Sequence, residues 1–140
     1  MRSVPRTAIL CAACAACAVV LSLLASCATQ PPAPMIPEGL TVGEIFQRAQ
    51  DAADKGDYSL ATAYYTDFQQ KYPEDTQHGV WASYEIAFIA HKTGRNDTAL
   101  SLLDALLARY AKEGDALPPA PRTLAENLKA RLEADSPKKS

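Results

Sequence analysis

Beyond position 27 the chain has no cysteine: its four cysteines are Cys11, Cys14, Cys17 and Cys27. The body of the protein therefore has no internal disulfide framework and no thiolate metal cage. Neither sign of charge dominates, with 14 Lys and Arg against 16 Asp and Glu and a net charge of −2, so nothing in the balance marks nucleic acid as a partner. After Thr41 no segment alternates with period two, which leaves no half-solvated β-strand to read. A Gly-rich phosphate loop and a G-x-S-x-G nucleophile turn are both missing. The two histidines, His78 and His91, lie 13 residues apart without a converging carboxylate or thiol pattern. Cys11, Cys14 and Cys17 have the spacing that begins an iron–sulfur site, but Leu21 stands where the fourth ligand is needed, and no histidine follows for haem attachment. The expectation is a protein without catalytic, cofactor or metal residues, and not an enzyme.

What is present begins with an address. Arg2 and Arg6 precede an uncharged run from Thr7 to about Leu24, and after Arg6 no side chain is charged until Glu38. A basic start, an apolar stretch and small residues before a cut site describe a secretory signal. The alternative is an uncleaved membrane anchor, since the run is long enough to cross ~30 Å of hydrocarbon. Either arrangement puts the remainder outside the cytoplasm. Leu24-Ala25-Ser26-Cys27 resembles the lipobox of bacterial lipoproteins. That resemblance implies a thioether-linked diacylglycerol on Cys27, cleavage after Ser26 and an acylated new N-terminus. Ala28 follows rather than Asp, which by the same resemblance implies sorting to the outer membrane.

Residues 1–26 are thus expected to be the signal peptide and 27–40 a lipidated N-terminus with a linker. Pro31, Pro32, Pro34 and Pro37 would hold that linker extended, at ~3.1 Å per residue, over roughly 40 Å. Without Arg2 and Arg6 the remainder carries 12 basic and 16 acidic groups, a net charge of −4. A helical domain is expected over 41–134, followed by a disordered tail over 135–140.

Everything after Thr41 reads with helical spacing, giving an all-α fold of about five helices. Thr41 and Glu44 form a capping-box pattern ahead of an apolar stripe of Val42, Ile45/Phe46, Ala49 and Ala53, ended by Gly56. Asp57 can cap a second helix with Ala61, Tyr65, Phe68 and Tyr72 on its apolar side, stopped at Pro73. A third helix is expected from about His78 to Thr93. A fourth follows Asn96, with Ala99, Leu103, Leu106 and Tyr110. Glu113–Pro121 reads as a loop, and a fifth helix over Arg122–Ala134 carries Leu124, Leu128 and Leu132, with Arg122, Glu126, Lys129 and Glu133 facing outward.

Gly56 and Gly94, Ala61 and Ala99, Tyr65 and Leu103, Phe68 and Leu106, and Tyr72 and Tyr110 are each 38 residues apart. That shared offset predicts an internal repeat. Gly56, Asp57, Tyr58, Ala61, Tyr65, Phe68 and Pro73 resemble the second half of a tetratricopeptide repeat. The second copy lacks the Asp-Tyr pair and the closing proline. The large residue, Leu and Gly of the family's first helix are largely missing: Ile45, Arg48 and Ala49 stand there, then Ser83, Ile86 and Ala87. The period of 38 exceeds the family's usual 34, which implies a wider turn around Glu74–Gln77. That length and the Phe-x-x-x-Tyr-Pro ending are similar to repeats of periplasmic envelope proteins, among them the Tol-Pal coordinator and the lipoprotein of the β-barrel assembly machine. The resemblance implies a helical-hairpin solenoid with repeats at about 42–75 and 80–113 and a capping helix at about 122–134.

Trp81, Tyr84, Phe88 and His91 fall on one face of the third helix. In the repeat register this is the family's inner surface, and Phe46 and Gln50 take the same place on the first helix. One reading is an aromatic groove for a partner segment, with Asp54 and Lys92 at its rim. The other is a buried middle helix, apolar nearly all round through Val80, Ile86 and Ile89. Together these features point to a lipid-anchored periplasmic adaptor that holds an envelope protein or peptide. The alternative is a self-associating structural subunit, a homo-oligomer, because so short a repeat array has open ends. The bilayer is met through the lipid on Cys27.

Overall fold

The computed structural model describes residues 34–135, and the expected signal peptide, the lipidation site at Cys27, the first part of the linker and residues 136–140 lie outside them. Among the described residues the architecture is all-α. The helices are α1 (Val42–Asp54), α2 (Tyr58–Lys71), α3 (Thr76–Lys92), α4 (Asn96–Glu113) and α5 (Pro119–Asp135), with a short 3₁₀ turn at Gly114–Ala116 between the last two. Each helix packs on the next, and α3 also touches α5. No described helix is long and apolar enough to cross a membrane.

Local chemistry sets the ends of these helices. The Glu44 carboxylate accepts from the Thr41 amide at 2.8 Å, and the Thr41 hydroxyl accepts from the Glu44 amide at 3.3 Å, completing the capping box. Asp57 and Asp75 cap α2 and α3 by accepting from the amides of Leu60 and His78, both at 3.0 Å. Between α1 and α2 the Gly56 amide bonds the Ala53 carbonyl and the Asp57 amide bonds the Ala52 carbonyl. Between α3 and α4 the same pair recurs 38 positions later, from Gly94 to His91 and from Arg95 to Ala90. Gly56 and Gly94 supply the left-handed residue that this hairpin turn needs, at φ +79° and +76°.

Burial repeats with the hydrogen bonds. Ala61 and Ala99 are both 0% exposed, and Tyr65, Phe68, Leu103 and Leu106 are buried beside them. Ala49 and Ala87, then Ala52 and Ala90, are buried at equivalent places on α1 and α3. Small residues at these crossings let the helix axes approach to ~8–10 Å. The core has two parts that meet at α3. Ala82 and Ile89 face α1 and α2, whereas Val80, Ala87 and Ala90 face α4 and α5.

Several expectations change. The extra length of the period does not widen the turn at Glu74–Gln77: α3 already starts at Thr76, one helical turn earlier than a copy of α1 would, and Asp75 caps it. Pro73 sits exposed in the short turn before that cap. The expected loop to Pro121 is shorter too. Pro119 and Pro121 open α5 rather than precede it, because the first turn of a helix has no use for their missing N–H groups. In α5 the buried set is Pro121, Ala125, Leu128 and Leu132, and Leu124 is 38% exposed. Lys129 turns back across the helix pair to the Asp104 carboxylate instead of pointing away. Finally, the end of the linker is not free: Ile36 and Leu40 pack on the α1–α2 core, and the Tyr72 hydroxyl donates to the Leu40 carbonyl at 3.3 Å.

Candidate functional site

α1 and α3 lie on the same side of the domain and leave a furrow between them. Its larger part, of about 580 Å³, is lined by Gln50, Ala53 and Asp54 of α1, Tyr58 and Tyr65 of α2, and Glu85, Phe88, Ile89 and Lys92 of α3. A smaller part, of about 330 Å³, is lined by Phe46, Gln50, His78, Trp81 and Glu85. Gln50 and Glu85 belong to both, so the two parts form one groove. On α3 the lining residues are His78, Trp81, Glu85, Phe88, Ile89 and Lys92, and all but Ile89 follow helical i, i+3, i+7 spacing.

The groove wall is fixed by edge-to-face aromatic contacts. The Phe46 ring meets Tyr65 at 5.3 Å, Phe68 at 5.2 Å and His78 at 5.6 Å between centroids. His78 is held in turn by its Nδ1, 2.8 Å from an Asp75 carboxylate oxygen. Phe46, Trp81 and Phe88 are half-buried and Gln50 is exposed, so aromatic edges and one amide reach solvent along the groove.

Glu85 is the chemically unusual member. It is half-buried, and among the described residues no side chain hydrogen-bonds to it or pairs with its charge. Burial pushes its carboxyl above the usual carboxylate range. Burial first, and the Glu85 charge second, push up the phenols of Tyr65 and Tyr84. The groove therefore carries one half-buried carboxylate among aromatic side chains, with Asp54 and Lys92 at one end.

The six residues expected to form the binding face separate in space. Trp81, Phe88, Phe46 and Gln50 line the groove. Tyr84 does not. It stacks on Phe88 at 6.1 Å and, with Phe88, Leu124, Leu128 and Arg131, lines a second hollow of about 240 Å³ between α3 and α5, which meets the groove at Phe88. His91 turns to α4, where its Nδ1 lies 3.0 Å from the Asn96 side-chain oxygen. The third helix is thus neither wholly buried nor wholly open on its aromatic side. The residue missed was Glu85, and its signal was available: it is the sole charge between Gly79 and Ala90. Among the described residues no three His, Cys, Asp or Glu side chains converge as metal ligands do.

No family model matches the chain, and no solved structure matches it. It resembles a longer protein. Over 98 residues, 69% of the chain, it is 32% identical to an uncharacterized protein of Treponema pallidum (strain Nichols). The chain spans 39% of that relative's length.

Proposed function

We propose that the protein is a lipid-anchored adaptor of the bacterial cell envelope. Its helical-hairpin domain binds a segment of another envelope protein in the α1–α3 groove. The observation that carries this reading is the groove itself. Phe46, Trp81 and Phe88 expose aromatic edges there beside Gln50 and Glu85, on a face that a freely solvated helix pair would cover with charge. The lipobox-like Leu24-Ala25-Ser26-Cys27 supports anchoring by acyl chains at Cys27, and Ala28 supports the periplasmic face of the outer membrane. The tetratricopeptide-like repeat supports protein binding over catalysis.

A photo-crosslinking amino acid placed at position 50 tests the reading in cells. Gln50 lies in the groove and is exposed; Ser101, exposed on α4 and outside the groove, is the control position. A discrete protein adduct from position 50 and none from position 101 is the expected result. Identical adducts at both positions, or none at either, would reject the groove as the binding face.

A further inference from the structure

Among the described groups that line the α1–α3 groove, the charged side chains are Asp54 and Glu85, acidic, and Lys92, basic, with His78 at the far end. Glu85 differs from the others in its position. It borders both parts of the groove, one helical turn from Trp81 on one side and from Phe88 on the other. Elsewhere on the domain several acidic side chains that are not fully exposed pair with basic ones, as Asp67 does with Lys71 and Glu113 with Arg109, whereas unpaired ones such as Asp54 stand exposed to solvent. Among the described residues Glu85 has no such partner, although it is half-buried.

We infer that the groove binds a polypeptide segment presenting an arginine or lysine, whose charged head pairs with the Glu85 carboxylate while its stem lies against Trp81 and Phe88. The inference rests on the adaptor reading and names the chemistry of the partner. Three physical arguments support it. A half-buried carboxylate loses hydration without compensation, and a cation brought to it recovers that loss as a charge-assisted hydrogen bond. The flanking aromatic faces attract a cation and accept the methylene stem of a long basic side chain. An acidic or purely apolar residue at the same place would leave the carboxylate desolvated further, which opposes binding. Lys92, about two helical turns away at one end, is placed to meet an acidic group of the same segment, fixing its direction.

The test uses the full-length protein in detergent and three pools of synthetic dodecapeptides, identical except for a central arginine, norleucine or glutamate. Binding is read by fluorescence anisotropy and by the emission of Trp81, the single tryptophan of the chain. The arginine pool is expected to bind at least about tenfold more tightly than the glutamate pool. Glu85→Gln, which keeps the shape and removes the charge, should bring the pools to parity, and Glu85→Lys should reverse the order. Equal binding of the arginine and norleucine pools with a clear Trp81 response would overturn the charge inference and leave the groove reading standing. A preference for arginine that survives in Glu85→Gln would overturn it as well. No Trp81 response to any pool would overturn both.

Discussion

Tyr72, the last residue of the first hairpin, holds Leu40, just ahead of it, by a hydroxyl-to-carbonyl bond of 3.3 Å across 32 residues. Its counterpart in the second hairpin, Tyr110, does the same to Pro118 at 2.8 Å. Equivalent tyrosines thus fasten the chain where it enters the first hairpin and where it leaves the second. Tyr72→Phe should lower stability by about 0.5–1.5 kcal/mol. Amides near Leu40 should also exchange faster with solvent, by a larger factor than those of α4, which follow only the loss of global stability. Native-state hydrogen exchange checks both.

Ala61 and Ala99 are closed in on all sides, so added volume has nowhere to go. Ala61→Leu and Ala99→Leu should each cost about 1–3 kcal/mol by overpacking. Ala120 is exposed in the first turn of α5, and Ala120→Leu should change the melting temperature little. Equal effects at all these positions would contradict the packing described.

The glycines separate by sign. Gly56 and Gly94 have positive φ, and alanine there should destabilise by roughly 1–2 kcal/mol. Gly43 lies inside α1, where an added Cβ would meet nothing within 4 Å. Gly43→Ala should therefore stabilise by about 0.5–1 kcal/mol. Chemical denaturation of the three variants measures both signs.

Two carboxylates pull the acid limb of the stability curve in opposite directions. Hydrogen bonds from the Thr41 amide and hydroxyl, in that order, lower the Glu44 pKa. Its contribution is present above the unfolded value of 4.5 and is lost as pH falls through the lower folded value. Burial raises the Glu85 pKa, so ionising it weakens the fold as pH rises from the unfolded value of 4.5 through the higher folded one. The groups near it (Asp54, His78, Lys92, Tyr58, Tyr65 and Tyr84) include no bonded partner that reverses this sign. Glu85→Gln should melt higher than the parent at neutral pH, and the two should converge as pH falls below the carboxylate range. Melting curves across pH give the answer directly.

Cys27→Ser tests the anchor independently of the groove. The variant should leave the membrane fraction or accumulate as an unprocessed precursor, and should lose metabolic labelling by fatty acid. Unchanged partitioning and labelling would reject lipidation at that residue.

The repeat was legible because its signal is local. A hairpin turn through a left-handed residue demands glycine, and a close crossing demands alanine, so Gly56, Gly94, Ala61 and Ala99 announce themselves at one shared offset. The face of α3 that borders the groove was harder to read. Trp81 and Phe88 fit two overlapping stripes, one completed by Tyr84 and the other by Glu85, and side-chain polarity alone favours the tyrosine. Which stripe turns toward α1 depends on how helices far apart in sequence cross, and α5 decides it by taking Tyr84. The prolines misled in a similar way. Pro119 and Pro121 break a helix interior but suit a helix start, and the chain places them at the start.

The seat taken by Ile36 and Leu40 on the first hairpin shortens the leash. Were Cys27 acylated as proposed, only nine residues would separate it from the packed Ile36, and nine residues span at most about 30 Å whatever their conformation. On the proposed anchoring, a domain on so short a lead would work close to the bilayer, and the partners within its reach would be those whose docking segment emerges beside the lipid surface.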